Sequence, residues 1–181
     1  MKVANANLDM LFDGAIYTEA LLPTLRIARR QLRIATANIK DVWIESRSGY
    51  VPLVQLLVQK AEAGVRVQVL HCGGRSGRFQ QRLTGLKLPA AFEMRTCRRN
   101  HMKCVLADGF QAYAGSANMT GAGLGAKSAA RRNFEVGFLT RDLRLVRELD
   151  RQFERIWTGL SCATCRRRVH CPRLAASSTD F

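Results

Sequence analysis

A chain of 181 residues, 47% of them hydrophobic, is long and apolar enough to bury one core, which excludes a disordered protein. Lysine and arginine number 29 against 14 acidic residues, and the resulting net charge of +15 points to a polyanionic partner, nucleic acid first and an anionic membrane surface second. No apolar run approaches the roughly 18 residues of a membrane span. The opening "MKVANANLDMLFDGAIY" lacks the charged and then apolar stretches of a secretory leader, so the expected compartment is the cytoplasm. There the six cysteines should be thiols or metal ligands rather than disulfides.

In chain order, "EALLPTLRIARR" (19–30) carries an amphipathic helical pattern whose regular part should begin near Pro23. "QLRIATANI" (31–39) alternates and predicts a strand. "YVPLVQLLVQKAEAG" (50–64) predicts a helix stopped by Gly64. "VRVQVL" (65–70) is β-branched and alternating, and predicts a strand parallel to the first through a β-α-β crossover. A short basic helix is expected over 75–85, and four more strands over 91–97, 101–107, 111–117 and 133–140. The stretch 118–132, rich in glycine, alanine and cations, reads as a loop. "DLRLVRELDRQFERIWTG" (142–159) predicts the longest helix, with Asp142 as N-cap and Gly159 as stop. Its apolar face is Leu143, Val146, Leu149, Phe153, Ile156 and Trp157. Its arginines, Arg144, Arg147, Arg151 and Arg155, are expected on a solvated face partly balanced by Glu148, Asp150 and Glu154. No segment repeats another. From Leu160 the composition changes to a cysteine- and arginine-rich tail.

One stretch, "HMKCVLADGFQAYAGSAN" (101–118), gathers reactive side chains. Residues i and i+2 of a strand share a side, so His101 and Lys103 should project together, with Cys104 turned into the core. Ser116 and Asn118 obey the same rule on the next arm, and "ADG" (107–109) supplies the turn that folds the arms together. An imidazole, an ammonium, a hydroxyl and a carboxamide then converge. That set suits a phosphodiester: the cation and amide balance charge on the non-bridging oxygens, and the imidazole attacks phosphorus or moves a proton. Taken alone, H-x-K fits a surface His and Lys on an edge strand better than a catalytic pair.

The spacing adds more. His101, Lys103 and Asp108 make H-x-K-x4-D; Gly115, Ser116 and Asn118 make G-S-x-N; Asn133 and Glu135 make N-x-E. In this order, after a β-α-β unit, the chain resembles the phospholipase D superfamily over roughly residues 15–157. The resemblance implies an α/β fold: a phospholipase D-like mixed β-sheet flanked by helices, here with a short Cys-rich C-terminal tail. A catalytic domain is expected over 1–159 and a basic tail over 160–181. By the same resemblance His101 is nucleophile or acid and passes through a phosphohistidine, while Lys103, Ser116 and Asn118 hold phosphate. Glu135 would orient His101 through the other ring nitrogen and fix its tautomer. Asp108 would tie down its turn. The family's chemistry needs no metal or other cofactor.

Members with two motif copies use the second histidine to protonate the leaving oxygen. This chain has one H-x-K, and neither His71 nor His170 lies in a second copy. A homodimer resolves this, because an isologous interface brings the same patch of each subunit together. The alternative from another class is a nucleic-acid-binding module with a vestigial site.

The superfamily acts on phospholipids and on nucleic acids, so the fold does not choose. Arg95, Arg98, Arg99, Arg131 and Arg132 flank the motif and would form a phosphate track. No long apolar insertion offers an acyl-chain pocket. Nucleic acid, single-stranded DNA or RNA, is therefore expected ahead of membrane lipid.

The tail segment "CATCRRRVHC" holds Cys162, Cys165, His170 and Cys171, a C-x2-C pair followed by further ligand types. This suits a structural zinc, or an iron–sulfur group, that pins the tail beside the last helix. His170 and Cys171 are adjacent and do not easily share one ion. Three cysteines completed by His170, or by Cys72 or Cys97 from elsewhere, are therefore the expected set; free thiols or a disulfide are the alternatives. His71 and Cys72 end a strand at its C-terminal side, where α/β sheets often place ligands.

Overall fold

The computed structural model describes residues 3–5, 7–46, 49–75, 77–125, 129–167 and 171. Two strands that the sequence pattern does not announce come first, β1 (Val3–Asn5) and β2 (Leu8–Phe12). A π-helical turn (Ile16–Leu21) then runs into α1 (Leu22–Ile27), so helical structure begins ahead of Pro23. β3 (Gln31–Ile39) has the predicted bounds. A hairpin of β4 (Trp43–Ser46) and β5 (Gly49–Pro52) follows, and α2 (Leu53–Glu62) starts only after it. Residues 50–52 are thus strand where helix was predicted. Pro52 explains this: it holds Val51 extended and becomes the N-cap of α2.

The remaining elements lie close to expectation, except that the strand predicted over 65–70 runs five residues past its predicted end at Leu70, through His71 and Cys72. They are β6 (Arg66–Arg75), α3 (Gly77–Thr84), β7 (Phe92–Thr96), β8 (Cys104–Ala107), β9 (Gln111–Gly115), β10 (Val136–Thr140) and α4 (Leu143–Thr158). β8 begins at Cys104 rather than at His101. The Asn100 side chain bends the intervening backbone by accepting from Met102 N at 3.3 Å and donating to Thr36 O at 3.0 Å and Leu70 O at 3.3 Å. Asp142 caps α4 by accepting from Arg144 N at 2.8 Å, and Gly159 ends it at φ 84°.

Eight strands form one mixed sheet in the order β1-β2-β10-β9-β8-β3-β6-β7. β3, β6 and β7 run parallel, with α2 as the crossover between β3 and β6. From β3 outward through β8, β9, β10, β2 and β1 the pairing is antiparallel. Each face carries its own core. On one, Ile34, Val69, Val105 and Tyr113 pack with Leu25 of α1, Leu57 of α2 and Phe79 of α3. On the other, Ala35, Cys104, Leu106 and Ala112 pack under Val146, Phe153 and Trp157 of α4. Full burial of such a large apolar side chain contributes about 2–3 kcal/mol.

The charges of α4 depart from expectation. Asp150 and Glu154 are not partners of the helix's own arginines. They pair with Arg33 of β3, at 2.7 and 2.5 Å, and the buried guanidinium lies 5.2 Å from the Phe153 ring centroid. Arg33 stands on the sheet face that α4 covers, so a buried cation drew the two carboxylates inward. Arg144 pairs with Asp142, and Arg151 with Glu148.

Candidate active site

β8 runs antiparallel to β3, so its start lies at the same edge as the C-terminal ends of β3 and β6, where open α/β sheets present ligand sites. His101 and Lys103 precede β8 at that edge. Lys103 Nζ lies 3.1 Å from His101 Nδ1, 3.2 Å from Nε2 and 3.0 Å from the His101 carbonyl. Burial pushes the Lys103 ammonium below the ordinary lysine range, against the opposing charge of Glu135. His101 is exposed and Lys103 half-buried.

The second arm is stitched to the first by the backbone, where Gly115 N donates to Lys103 O at 3.1 Å. Next along, the Ser116 hydroxyl donates to Glu135 Oε2, and Val136 N donates back to Ser116 Oγ at 3.0 Å. Asn133 Nδ2 donates to Glu135 Oε1 at 2.9 Å. The buried Glu135 carboxylate is therefore held by a hydroxyl and a carboxamide, as a buried charge requires. This differs from the expected Glu135–His101 bond. Within one chain both carboxylate oxygens are engaged by Ser116 and Asn133, and no hydrogen bond joins them to His101.

Asn118 is fixed from the other side. Its Oδ1 accepts from Asn38 N at 3.0 Å and stands 3.2 Å from Thr36 Oγ1. With the oxygen committed, the group that Asn118 has left to offer is its amide nitrogen, a donor. Asp108 lies at the far end of the hairpin. Its carboxylate accepts from Arg29 N and Arg30 N at 2.8 Å and Gln31 N at 2.7 Å. Burial acts to raise its carboxyl, but those three N–H groups outweigh it and hold the group below the usual aspartate range. Asp108 and Gly109 both take positive φ, 53° and 74°, so "DG" makes the tight turn.

Three positioning residues escaped the motif reading. Asp13, at φ 50°, accepts from Glu135 N at 2.8 Å. Asn100 pins the turn before His101. Thr36 accepts from Met119 N at 3.2 Å. Their sequence signals are slight: "DG" after a strand, an asparagine directly ahead of the histidine, and a threonine among alanines.

The arginines divide. Arg95 does not face a substrate track. Its guanidinium stacks 4.3 Å from the Trp157 ring centroid, donates to Trp157 O at 2.9 Å and pairs with Glu93 at 3.3 Å. The indole face and the backbone carbonyl of Trp157, near the end of α4, hold it by stacking and by a hydrogen bond. Arg98 and Arg99 are exposed on the turn just before His101, and Arg131 and Arg132 are exposed just before Asn133. His71 is a buried structural histidine: Nδ1 accepts from Gly73 N at 2.9 Å, and Nε2 lies 3.2 Å from Thr96 Oγ1. Cys72 Sγ contacts Arg98 O at 3.3 Å. Of the residues expected as metal ligands in the tail, Cys162 and Cys165 form a turn after α4, Cys171 is half-buried, and His170 lies outside the described residues. No helix among the described residues is long and apolar enough to cross a membrane.

No curated protein matches this sequence. Solved structures do match in fold. NucT from Helicobacter pylori superposes with a TM-score of 0.62 at 15% identity, over 83% of this chain and 95% of its own. Nuc from Salmonella typhimurium, described as a phospholipase D family member, gives 0.59 at 16%, over 83% and 93%. TrmBL2, an archaeal chromatin protein with a novel mode of DNA binding, gives 0.55 at 16%, over 87% of this chain and 54% of its own. A family model described as cardiolipin synthase, PLD-like domain, matches residues 21–157, and the chain belongs to that family, within the phospholipase D superfamily.

Proposed function

We propose that the protein is a phosphodiesterase that cleaves nucleic acid through a phosphohistidine on His101, at a composite site built from two copies of the chain. The observation that carries this reading is the meeting of His101 and Lys103 at one exposed edge, joined through Gly115 to the Ser116–Glu135–Asn133 set. Lys103 and the Asn118 amide take the non-bridging oxygens and balance the charge that grows on them. A His101 ring nitrogen bonds to phosphorus as the bond to the leaving oxygen breaks, and that oxygen takes a proton from the partner subunit's His101. Water then attacks phosphorus, returns a proton to the partner subunit's His101, and frees the first imidazole with a phosphomonoester as product.

Two observations support the details. Phe134, Val136 and Phe138 are 97%, 43% and 38% exposed in the single chain. By register Val136 and Phe138 lie on the α4 side of the sheet, opposite Phe12 and Met10, and Val136 is bonded to Ser116. An apolar strip that borders the site is what a dimer with its axis at the site would cover. The exposed Arg98, Arg99, Arg131 and Arg132 on either side, with the net charge of +15, favour a polynucleotide over a single headgroup. The names of the structural neighbours, among them a DNA-binding protein, agree with this.

The test is cleavage of labelled single-stranded and duplex DNA and RNA in EDTA, by wild type and His101→Ala. Cleavage by wild type alone supports the reading, and the same gel gives the substrate preference. Binding without cleavage by both proteins would overturn it in favour of a binding module, and choline or phosphatidate release from vesicles would make the substrate a lipid.

A further inference from the structure

Four of the six cysteines line one cavity, away from His101, Lys103 and Glu135. Cys97 follows β7, Cys162 and Cys165 follow α4, and Cys171 comes from farther along the tail. All four line a cavity of about 20 Å³. The same four line a larger cavity of about 270 Å³ between β7, α4 and the tail. The sequence pattern left the fourth ligand open between His170, Cys72 and Cys97; in the fold Cys97 lines the cavity, and His170 lies outside the described residues.

We infer that Cys97, Cys162, Cys165 and Cys171 form a tetrathiolate site for a structural zinc ion that staples the tail to the turn preceding His101. The ligand chemistry is right, because four thiolates in a tetrahedron are a preferred closed zinc sphere. The turn is right, because Cys165 N donates to Cys162 O at 3.1 Å and Cys162 N to Gly159 O at 2.8 Å, which folds the C-x2-C pair into a tight loop. The smaller cavity has room for about one water-sized species, which suits a single ion and not a cluster. The charge is balanced: four thiolates on one Zn2+ carry a net −2, and Arg98, Arg99 and Arg167 line the same cavity.

The tail also needs such a staple. Leu160 is 75% exposed, so apolar burial does not hold the start of this segment. Its polar ties to the turn are a hydrogen bond from Arg167 Nη1 to Arg98 O at 2.9 Å and one between Arg99 and the Cys165 sulfur. Among the described residues no three His, Cys, Asp or Glu side chains already stand close enough to share an ion. The coordination sphere is therefore one that zinc closes on binding, with thiol protons released, as structural zinc commonly does. His101 itself is held independently by Asn100, so the ion secures the tail and takes no part in the reaction.

The proposal does not rest on the nuclease reading, since metal content is measured whether or not the protein cleaves anything. Full-length protein produced with zinc in the medium is assayed for bound metal and thiols. One zinc per chain is expected, and Cys97→Ser or Cys162→Ser should weaken it by more than the ~10–100-fold typical of losing an outer contact. Cys72→Ser, whose sulfur contacts the Arg98 carbonyl and does not line the cavity, should keep the full zinc content. Because a ligand variant can fail to fold, wild type is also loaded with Co2+. An absorption spectrum typical of a tetrahedral all-thiolate centre supports the assignment. Protein without zinc, disulfides among these cysteines in the intact mass, or full zinc in Cys97→Ser would each overturn it.

Discussion

The backbone N–H of Gly115 donates to the carbonyl of Lys103 at 3.1 Å, and this bond carries the β8–β9 ladder on to the histidine-lysine end of the arm. It forms because residue 115 has no side chain. A Cβ there would lie 2.5 Å from Tyr113 Oη, 2.6 Å from Val136 O and 2.7 Å from Gly137 Cα. Gly115→Ala should therefore cost about 3 kcal/mol by overpacking. Gly109→Ala, at φ 74° with open space around it, should cost about 1 kcal/mol of backbone strain. Denaturant unfolding of the two variants compares them, and equal losses would show that close packing is not what residue 115 serves.

Phe134, Val136 and Phe138 tie activity to assembly. Phe134→Glu combined with Phe138→Glu should give a monomer with the wild-type circular dichroism spectrum and cleavage reduced by at least ~100-fold. Sedimentation and turnover are measured on the same sample. A monomeric double variant that still cuts at the wild-type rate would show that one chain suffices.

The pH profile of cleavage should be bell-shaped, because the nucleophilic imidazole must be neutral while the acid imidazole is protonated. Lys103 sits below the ordinary lysine range through burial, so its charge is lost earlier as pH rises. The alkaline limb is nonetheless set by the acid imidazole, which loses its proton first. Lys103→Arg, which stays protonated, should therefore leave both limbs in place and lower the plateau rate between them. A flat rate from about pH 5 to 9 would remove the two-histidine scheme.

Asp108 makes a separate, stability-only prediction. Its native carboxyl is depressed, so its contribution is present above the unfolded value of about 3.9 and is lost as pH falls through the lower native value. Asparagine tolerates the positive φ of this position, so Asp108→Asn isolates the carboxylate. The variant should lose roughly 1 kcal/mol at neutral pH, discounted for solvent exposure, and the gap should close below about pH 4. A gap that persists in acid would assign the effect to the turn and not to the charge.

Much of the site was legible in the chain. H-x-K, G-S-x-N and N-x-E foretold which side chains gather, because alternation along a strand and a two-residue turn are short-range rules. The bounds of β3 and both caps of α4 were legible for the same reason. The start of β8 at Cys104, short of the predicted His101, was not, because the Asn100 side chain competes for Met102 N and for two carbonyls of other strands. Nor was the direction of Glu135, which depends on which neighbour across β9 and β10 reaches its oxygens first.

Sequence alone determined the local geometry and the chemical inventory: the family's motif order, the cationic surface, the capped helix and the spacing of the tail cysteines. Tertiary structure decided the partnerships across distance. It sent Arg95 to Trp157, 62 residues away, and Arg33 to Asp150 and Glu154. It drew β2 alongside β10 and brought Cys97 to the tail. Periodicity and capping act within a few residues and leave a readable pattern, whereas a buried cation, a bare strand edge or a sheet-end thiol takes whichever complementary group the folded chain carries to it.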